Sequence, residues 1–327
     1  MAQEMTAIAV EGGKGPAEAL APVTIERPAP GPGQVLVAVA AAGINRPDLL
    51  QRRGAYPPPP GAPQTLGLEV SGEVCALGEG AGRWKIGDKV TCLLGGGGYA
   101  QYATVDCRHA LPVPAGLDLV QAASLPETVF TVWANVFDIG HLASGETLLV
   151  HGANSGIGVM AIQMAKAAGA KVIATVRGPD KVAQVLDLGA DVAVDVKAHG
   201  FVEAANAEGG VDVVLDMVGG AYTAMNLTVM RPHGRLVQIA TLGGNISEVD
   251  MGLVMRKRLL LTGSTLRPRD ADEKARLARD IEATVWPWIA AGKVRPVIDR
   301  VFPLEDAAAA HAHLEQGGHL GKVVLRV

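Results

Sequence analysis

The stretch Thr147–Arg177, TLLVHGANSGIGVMAIQMAKAAGAKVIATVR, constrains the fold more than any other part of the chain. Thr147–His151 is a short apolar run of the kind buried on both faces of a parallel sheet. Small residues follow at once (Gly152, Ala153, Ser155, Gly156, Gly158), and the Ala-rich segment Ile157–Ala168 has helical length and few breakers. Gly169 stands where a helix stops, and Lys171–Val176 is a second, β-branched strand. The pattern predicts a βαβ unit with a small-residue first turn. In such a turn the backbone can approach a pyrophosphate, and the helix N-terminus supplies N–H groups and positive dipole charge. Counted back from Gly158, the G-x-G-x-x-G places fall on Ala153, Ser155 and Gly158, so two glycines are replaced by small residues. Gly156 and Gly158 still permit close approach, and the alternative is a tight βα turn without a ligand.

The second strand bears on the nucleotide. An NAD site wants Asp or Glu about 20 residues beyond the turn, for the ribose 2′-OH. Here the strand runs into Val176-Arg177-Gly178-Pro179-Asp180-Lys181. Arg177 at the strand end, with Lys181 four residues on, suits a 2′-phosphate through charge-assisted hydrogen bonds. NADPH is therefore expected over NADH. A solvated Arg and Lys at a helix start is the other reading, and Asp180 is too far along to be the usual ribose partner.

With 327 residues the chain is long enough for two domains. A net charge of −4 with no basic stripe argues against nucleic acid, as do aromatics at only 4%. No run reaches the roughly 18 apolar residues of a membrane span, and the N-terminus lacks a signal-peptide pattern, so a cytoplasmic protein is expected. Three cysteines without C-x-x-C spacing fit a reducing compartment and no zinc ribbon. Residues 1–125 carry short β runs at Ala7–Val10, Val35–Ala41, Glu73–Leu77, Lys89–Leu93 and Tyr99–Val105, with Pro57–Gly61 a loop. Helix is predicted near Ala122–Asp138. Apolar strands at Val192–Asp195, Val211–Val218, Arg235–Ala240 and Leu259–Gly263 complete a doubly wound sheet. A helix at Ala271–Ala291 and a strand–helix–strand tail (Val297–Phe302, Leu304–Gln316, Lys322–Val327) leave that rhythm. His311 and His313 are too close together to share a helical metal face and read as surface or packing residues.

Several segments together resemble one family. Ala42-Gly-Ile-Asn-Arg-Pro-Asp-Leu-Leu-Gln-Arg-Arg-Gly-Ala-Tyr-Pro-Pro-Pro-Pro-Gly61, Leu66-Gly-Leu-Glu-Val-Ser-Gly72, Trp84-Lys-Ile-Gly-Asp88, Gly97-Gly-Tyr-Ala-Gln-Tyr102, Gly263-Ser-Thr-Leu-Arg267 and Gly321-Lys-Val-Val-Leu325 carry the likeness. The chain resembles the zinc-free quinone oxidoreductases of the medium-chain dehydrogenase/reductase superfamily, above all their tumour-suppressor-inducible branch. The resemblance implies an α/β protein with a GroES-like β-rich substrate domain (1–125 and 267–327) and a Rossmann NADPH-binding domain (126–266). It also implies a homodimer through the edge strand near Leu259–Gly263. Zinc relatives hold a catalytic metal with a Cys and a His, and the matching places here are Asn45 and Leu68, neither of which can supply a thiolate or imidazole. No metal is expected.

By the same resemblance Asn45 and Tyr56 border the nicotinamide and substrate, and Thr131 donates its hydroxyl to a cofactor phosphate. The turn Ser155-Gly156-Ile157-Gly158 cradles the pyrophosphate. The segments Ile239-Ala240-Thr241-Leu242 and Ser264-Thr265-Leu266 flank the nicotinamide. Relatives often place a Tyr where this chain has Val196, so Arg177 is expected to replace that contact. The implied activity is NADPH-dependent reduction of a small-molecule quinone. The alternatives are reduction of an activated C=C bond in an enone or enal, with Tyr56 as the nearby proton donor, and a non-enzymatic NADPH-binding redox sensor.

Overall fold

The computed structural model describes residues 3–327. The chain divides into two compact units. One reaches Phe130 and takes in Arg267–Ala290 and Pro296–Val327; the other is Thr131–Leu266 with Ala291–Arg295.

The first unit begins with the antiparallel pair β1 (Glu4–Val10) and β2 (Leu20–Glu26). β2 was not expected from sequence. Its residues alternate between covered and exposed, and Pro22 and the charged Glu26 blur the pattern. The long strand β3 (Gln34–Ile44) runs straight into helix α1 (Arg46–Arg52). This helix also escaped the sequence reading. Pro47 looks like a breaker but sits in the first turn, where its missing N–H costs nothing. The Asp48 carboxylate accepts the Asn45 N–H at 2.8 Å and fixes the entry into the helix. Pro57–Gly61 forms no regular element beyond turns. Strands β4 (Glu69–Leu77), β5 (Lys89–Leu93), β6 (Tyr102–Asp106) and β7 (Ala110–Pro112) follow, then the short helices α2 (Leu119–Ala122) and α3 (Pro126–Val132). α3 continues as a π-helical stretch, Trp133–Ile139.

The second unit is a βα alternation. It runs β8 (Thr147–Val150), α4 (Gly156–Ala167), β9 (Lys171–Val176), α5 (Pro179–Asp187), β10 (Val192–Asp195), α6 (Phe201–Ala207) and β11 (Val211–Asp216). Helix α7 (Ala221–Val229), β12 (Met230–Gln238), α8 (Met251–Lys257) and β13 (Leu260–Gly263) complete it. All pairs are parallel, and the six-stranded order is β10-β9-β8-β11-β12-β13. The order reverses between β8 and β11, and such switch points bind ligands at the carboxyl ends of the strands. β8 is buried at every residue, as a central strand covered on both faces must be.

The tail returns to the first unit. Helix α9 (Ala271–Ala290) runs through Pro287. Then come β14 (Ile298–Pro303), α10 (Ala307–Gln316) and β15 (Lys322–Arg326). β15 pairs antiparallel with β3, so the last strand joins the seven-stranded sheet of the first unit beside its longest strand. His311 on α10 is fully buried. Its ring meets the Tyr99 hydroxyl at 3.1 Å and the Arg52 guanidinium at 3.2 Å, and burial pushes its pKa down to about 3, so it packs as a neutral ring. His313 pairs instead with Asp299 at 2.7 Å.

Candidate functional site

In the second unit, the turn after β8 has the geometry of a phosphate cradle. Ser155 caps α4, its Oγ accepting the Gly158 N–H at 3.1 Å. The cap leaves other N–H groups of Gly156 and Ile157 at the open start of a helix of 12 residues. Gly152 has φ +64°, and a Cβ on Gly158 would lie 2.5 Å from the Ala153 Cα, so both positions require glycine. The replaced motif glycines, Ala153 and Ser155, adopt no left-handed backbone, which is why small side chains serve there. Residues and geometry fit a dinucleotide.

Two further clusters gather at the carboxyl ends of the sheet. Asn135, in the π-helical stretch, donates to the Thr131 carbonyl at 2.8 Å and accepts from the Ser264 hydroxyl at 2.6 Å. This brings together Thr131 and Ser264, which lie far apart in sequence. Asn135 itself was missed, because one amide within an apolar helical stretch carries no signal of its own. Gln238, the last residue of β12, donates to the Ala240 carbonyl at 2.5 Å, while its own carbonyl accepts the Ser264 N–H at 3.0 Å. The Ile239 N–H reaches Asp216 O at 2.8 Å. The loops 239–242 and 264–266 are thus tied side by side. Thr241, Leu242 and Thr265 face outward, and Leu266 is buried.

At the end of β9, Arg177 is exposed and has no carboxylate partner among the described residues. Gly178 follows with φ +116° and gives its N–H to Asp195 at 2.9 Å, which shapes the turn. Lys181 lies 3.7 Å from Asp180, with its side chain largely covered. Tyr222, at the start of α7, stands close enough to Arg177 for that charge to pull its hydroxyl pKa down against the stronger upward push of burial. The tyrosine absent at Val196 has no counterpart at that place in the chain, and Tyr222 packs against His151 and Phe201.

In the first unit, Asn45 and Leu68 are both buried. What surrounds them is an ion cluster. The Lys322 ammonium gives its protons to Ile44 O (2.7 Å), Asn45 Oδ1 (2.5 Å) and Glu69 Oε1 (2.6 Å). Asn45 Nδ2 donates to the same Glu69 oxygen at 2.8 Å, and Glu69 Oε2 accepts the Glu127 N–H at 2.8 Å. Asn45 is thus bound on both polar atoms within its own unit. Lys322 and Glu69 were missed; the available signal was a lysine opening the apolar run Val323–Leu325. Among the described residues, no group of three or more His, Cys, Asp or Glu side chains is placed to hold a metal.

Beside this cluster lie Tyr56, Arg267, Glu127 and Asp48. The Arg267 guanidinium stands 5.5 Å from the centre of the Tyr56 ring. Burial lifts the Asp48 carboxyl to about 6, against the N–H bonds it accepts from Asn45 and Gly67. Burial and the charge of Glu69 lift Glu127 to about 8. Burial likewise raises the Tyr56 hydroxyl.

The comparisons with known proteins agree with this architecture. Residues 31–115 match the alcohol dehydrogenase GroES-like domain and residues 188–325 the zinc-binding dehydrogenase model. A quinone oxidoreductase of Rattus norvegicus is 32% identical over 303 residues, 91% of this chain and 90% of that protein. The crystal structure of an NAD-dependent alcohol dehydrogenase superposes with a TM-score of 0.84 at 30% identity, covering 99% of this chain and 100% of the other. That of the CurK enoyl reductase does so with 0.84 at 27% identity, covering 98% and 99%. A GroES-like domain with a Rossmann sheet of this order defines a nicotinamide-dependent oxidoreductase. The chain belongs to the medium-chain dehydrogenase/reductase superfamily, with quinone oxidoreductases among its relatives. Among the described residues no helix is long and apolar enough to cross a membrane.

Glu127 makes a testable pH dependence. Burial above all, then the charges of Glu69 and Asp48 against Lys322 and Lys274, pushes its carboxyl up to about 8 from an ordinary 4.5. Between those values the folded state holds a proton that the unfolded chain has released, so its contribution is full below the lower value and is lost as pH rises through the upper one. Glu127→Gln has no such proton. Its thermal midpoint should gain on the parent's as pH rises through that window. A constant offset on either side of the window would show that Glu127 titrates as an ordinary carboxyl.

Proposed function

We propose that this protein is an NADPH-dependent, zinc-independent quinone reductase, probed most directly by its handling of two-electron acceptors. The observation that carries this reading is the pairing of a nucleotide cradle at Ser155–Gly158 with Asn45 and Leu68 at the places where zinc relatives bind metal. An alcohol substrate needs a metal to hold its alkoxide. A quinone needs none, because its reduced form is aromatic. In this reading Ser155, Gly156, Ile157, Gly158 and Thr131 hold the phosphates, and Arg177 and Lys181 the 2′-phosphate. Asn45, Tyr56, Ile239–Leu242 and Ser264–Leu266 border the nicotinamide, with 1–125 and 267–327 the substrate domain and 126–266 the nucleotide domain. The cofactor supplies a hydride; the protein orients it and excludes water. Lys322 would serve the site indirectly, by fixing Asn45.

The second reading, reduction of an enone or enal C=C bond, draws support from the likeness to the CurK enoyl reductase and from Glu127, whose carboxyl is largely protonated at neutral pH. Such a reaction needs an acid near the α-carbon, and Glu127 joins Tyr56 as a candidate. NADPH consumption measured against a quinone panel and an enone panel, with and without chelator, separates the two. Turnover confined to quinones and indifferent to chelator is expected. Enone-only turnover overturns the quinone reading, and cofactor binding without turnover favours a sensor.

Cofactor choice rests on Arg177. A charged hydrogen bond contributes about 1.5–3 kcal/mol, so Arg177→Ala should raise KM for NADPH roughly 10- to 150-fold, leave NADH nearly unchanged and change kcat little. Lys181→Ala should act the same way but less, because a flexible point charge orders less well than a guanidinium fork. Equal loss with both cofactors would assign Arg177 to the fold instead.

We also propose a cytoplasmic homodimer formed through β13, an edge of the six-stranded sheet. Leu260 on that strand is 49% exposed, and Ile246, Met251 and Met255 nearby in sequence are more exposed still. An uncovered apolar edge invites a partner strand. Light scattering at micromolar concentration should give twice the chain mass; a monomer contradicts the proposal.

A further inference from the structure

Arg267 is a buried cation whose hydrogen-bonding capacity the fold uses only in part. The residue is 6% exposed. Its Nε donates to Gly95 O at 2.8 Å, which fixes the plane of the guanidinium, and its backbone carbonyl accepts from the Lys274 ammonium at 2.7 Å. Both Nη1 and Nη2 are cut off from solvent and have no hydrogen-bond partner. A buried guanidinium carries five donors, and leaving most of them idle is costly unless something else uses them.

The neighbours explain why no internal carboxylate quenches it. Asp48 is occupied, accepting N–H bonds from Asn45 at 2.8 Å and from Gly67 at 3.0 Å. Glu69 is engaged with Lys322 and Asn45. Glu127 is largely neutral at pH 7 and so offers little counter-charge. Tyr56 presents its ring, not an anion. The lining is otherwise lean. A Cβ on Gly96 would come within 3.4 Å of Nη2, and Gly96 has φ +157° and a Pro63 carbonyl 2.7 Å from the same point, so the backbone approaches the guanidinium where a side chain would cover it.

We propose that Arg267 binds the oxygen of the electron acceptor through Nη1 and Nη2 and holds the negative charge that reduction places there. This rests on the quinone reading above. A hydride and a proton convert a quinone to its hydroquinone; the two electrons come from the dihydronicotinamide, which is oxidised. Whichever acceptor atom takes the hydride, the displaced π pair ends on an oxygen, as a phenolate when oxygen takes the hydride and as an enolate or alkoxide when carbon does, until a proton arrives from solvent. An enone reduced at its β-carbon passes through an enolate with the same need. A fixed, desolvated guanidinium next to a flat aromatic ring suits that planar oxyanion, and its strength lies in the charged product rather than the neutral substrate, which is where binding accelerates a reaction.

The test uses 4-nitrophenol, whose yellow phenolate reports its own ionisation and which needs no turnover. Titrated into the purified protein, it should bind as the phenolate and ionise at lower pH than in buffer. Arg267→Met keeps the length of the stem and removes the charge, and phenolate affinity should fall roughly 10- to 150-fold, the range of a lost charged hydrogen bond. Arg267→Gln keeps an amide NH2 donor group and loses the charge, and should fall by a similar factor, so the test survives if the methionine variant does not fold. In kinetics with a quinone, either variant should lose kcat more than it raises KM. Phenolate binding equal to the parent's in a folded variant overturns the proposal, as does a parent protein that binds no phenolate. Phenolate binding that depends on Arg267 in a protein without quinone turnover would sink the quinone reading and leave the oxyanion site standing.

Discussion

The Lys322 ammonium is the interaction on which the first unit depends. It comes from β15, near the chain's end, and its protons reach Ile44, Asn45 and Glu69, at the end of β3, the start of α1 and the start of β4. Glu69 passes the connection on to the Glu127 N–H at the start of α3. Four segments remote in sequence are thus locked by one charge pair that is almost wholly out of water. A buried pair of this kind contributes little over an apolar substitute, but breaking it from one side costs about 3–5 kcal/mol, since the remaining charge is stranded. Its value to this fold is position. The end of β3 cannot slide against β15 without separating Lys322 from its oxygens. A Cβ on Gly43 would lie 2.1 Å from the Glu69 carboxylate, so even the backbone is shaped around the cluster.

The same cluster sets the electrostatics of its surroundings. Lys322 pairs with Glu69 at 2.6 Å, and Glu69 is the neighbour that adds most to burial in lifting Glu127. Glu127 has no such cation contact among the described residues, and its carboxyl is pushed up to about 8. Two carboxyls with different environments are the usual way a protein keeps one acid neutral near pH 7. Asn45 is bound into this arrangement through both polar atoms of its side chain.

Legibility followed how local the physics was. β9 matches its sequence pattern residue for residue, because a buried parallel strand is a continuous apolar run bounded by turn residues, and β10, half-buried at the sheet edge, keeps its predicted bounds too. The turn after β8 was legible too, since its glycines answer to one backbone conformation and one close approach. Helix α1 was hidden by Pro47, a breaker everywhere except the first turn it occupies. The π-helical turn at Trp133–Ile139 has no sequence period of its own, and it is what points Asn135 toward both Thr131 and Ser264. Apart from the lysine that opens the apolar run Val323–Leu325, Lys322, Glu69 and Glu127 gave little warning, because each is an ordinary charged residue until the fold brings β15 back beside β3.

That return also explains how charge is apportioned. Three cations lie in this part of the first unit. Lys322 has spent its protons on three internal oxygens. Lys274 gives one to the backbone of Arg267, and burial pulls its pKa down. Arg267 is also pressed by burial, but a guanidinium stays protonated at any ordinary pH. The chain has therefore placed the cation that cannot be neutralised where its donors are unspent, and the ones that can be satisfied or discharged where structure needs them. A lysine at position 267 would be free to shed its proton in the same surroundings, and the site would lose its charge when an oxyanion most requires it.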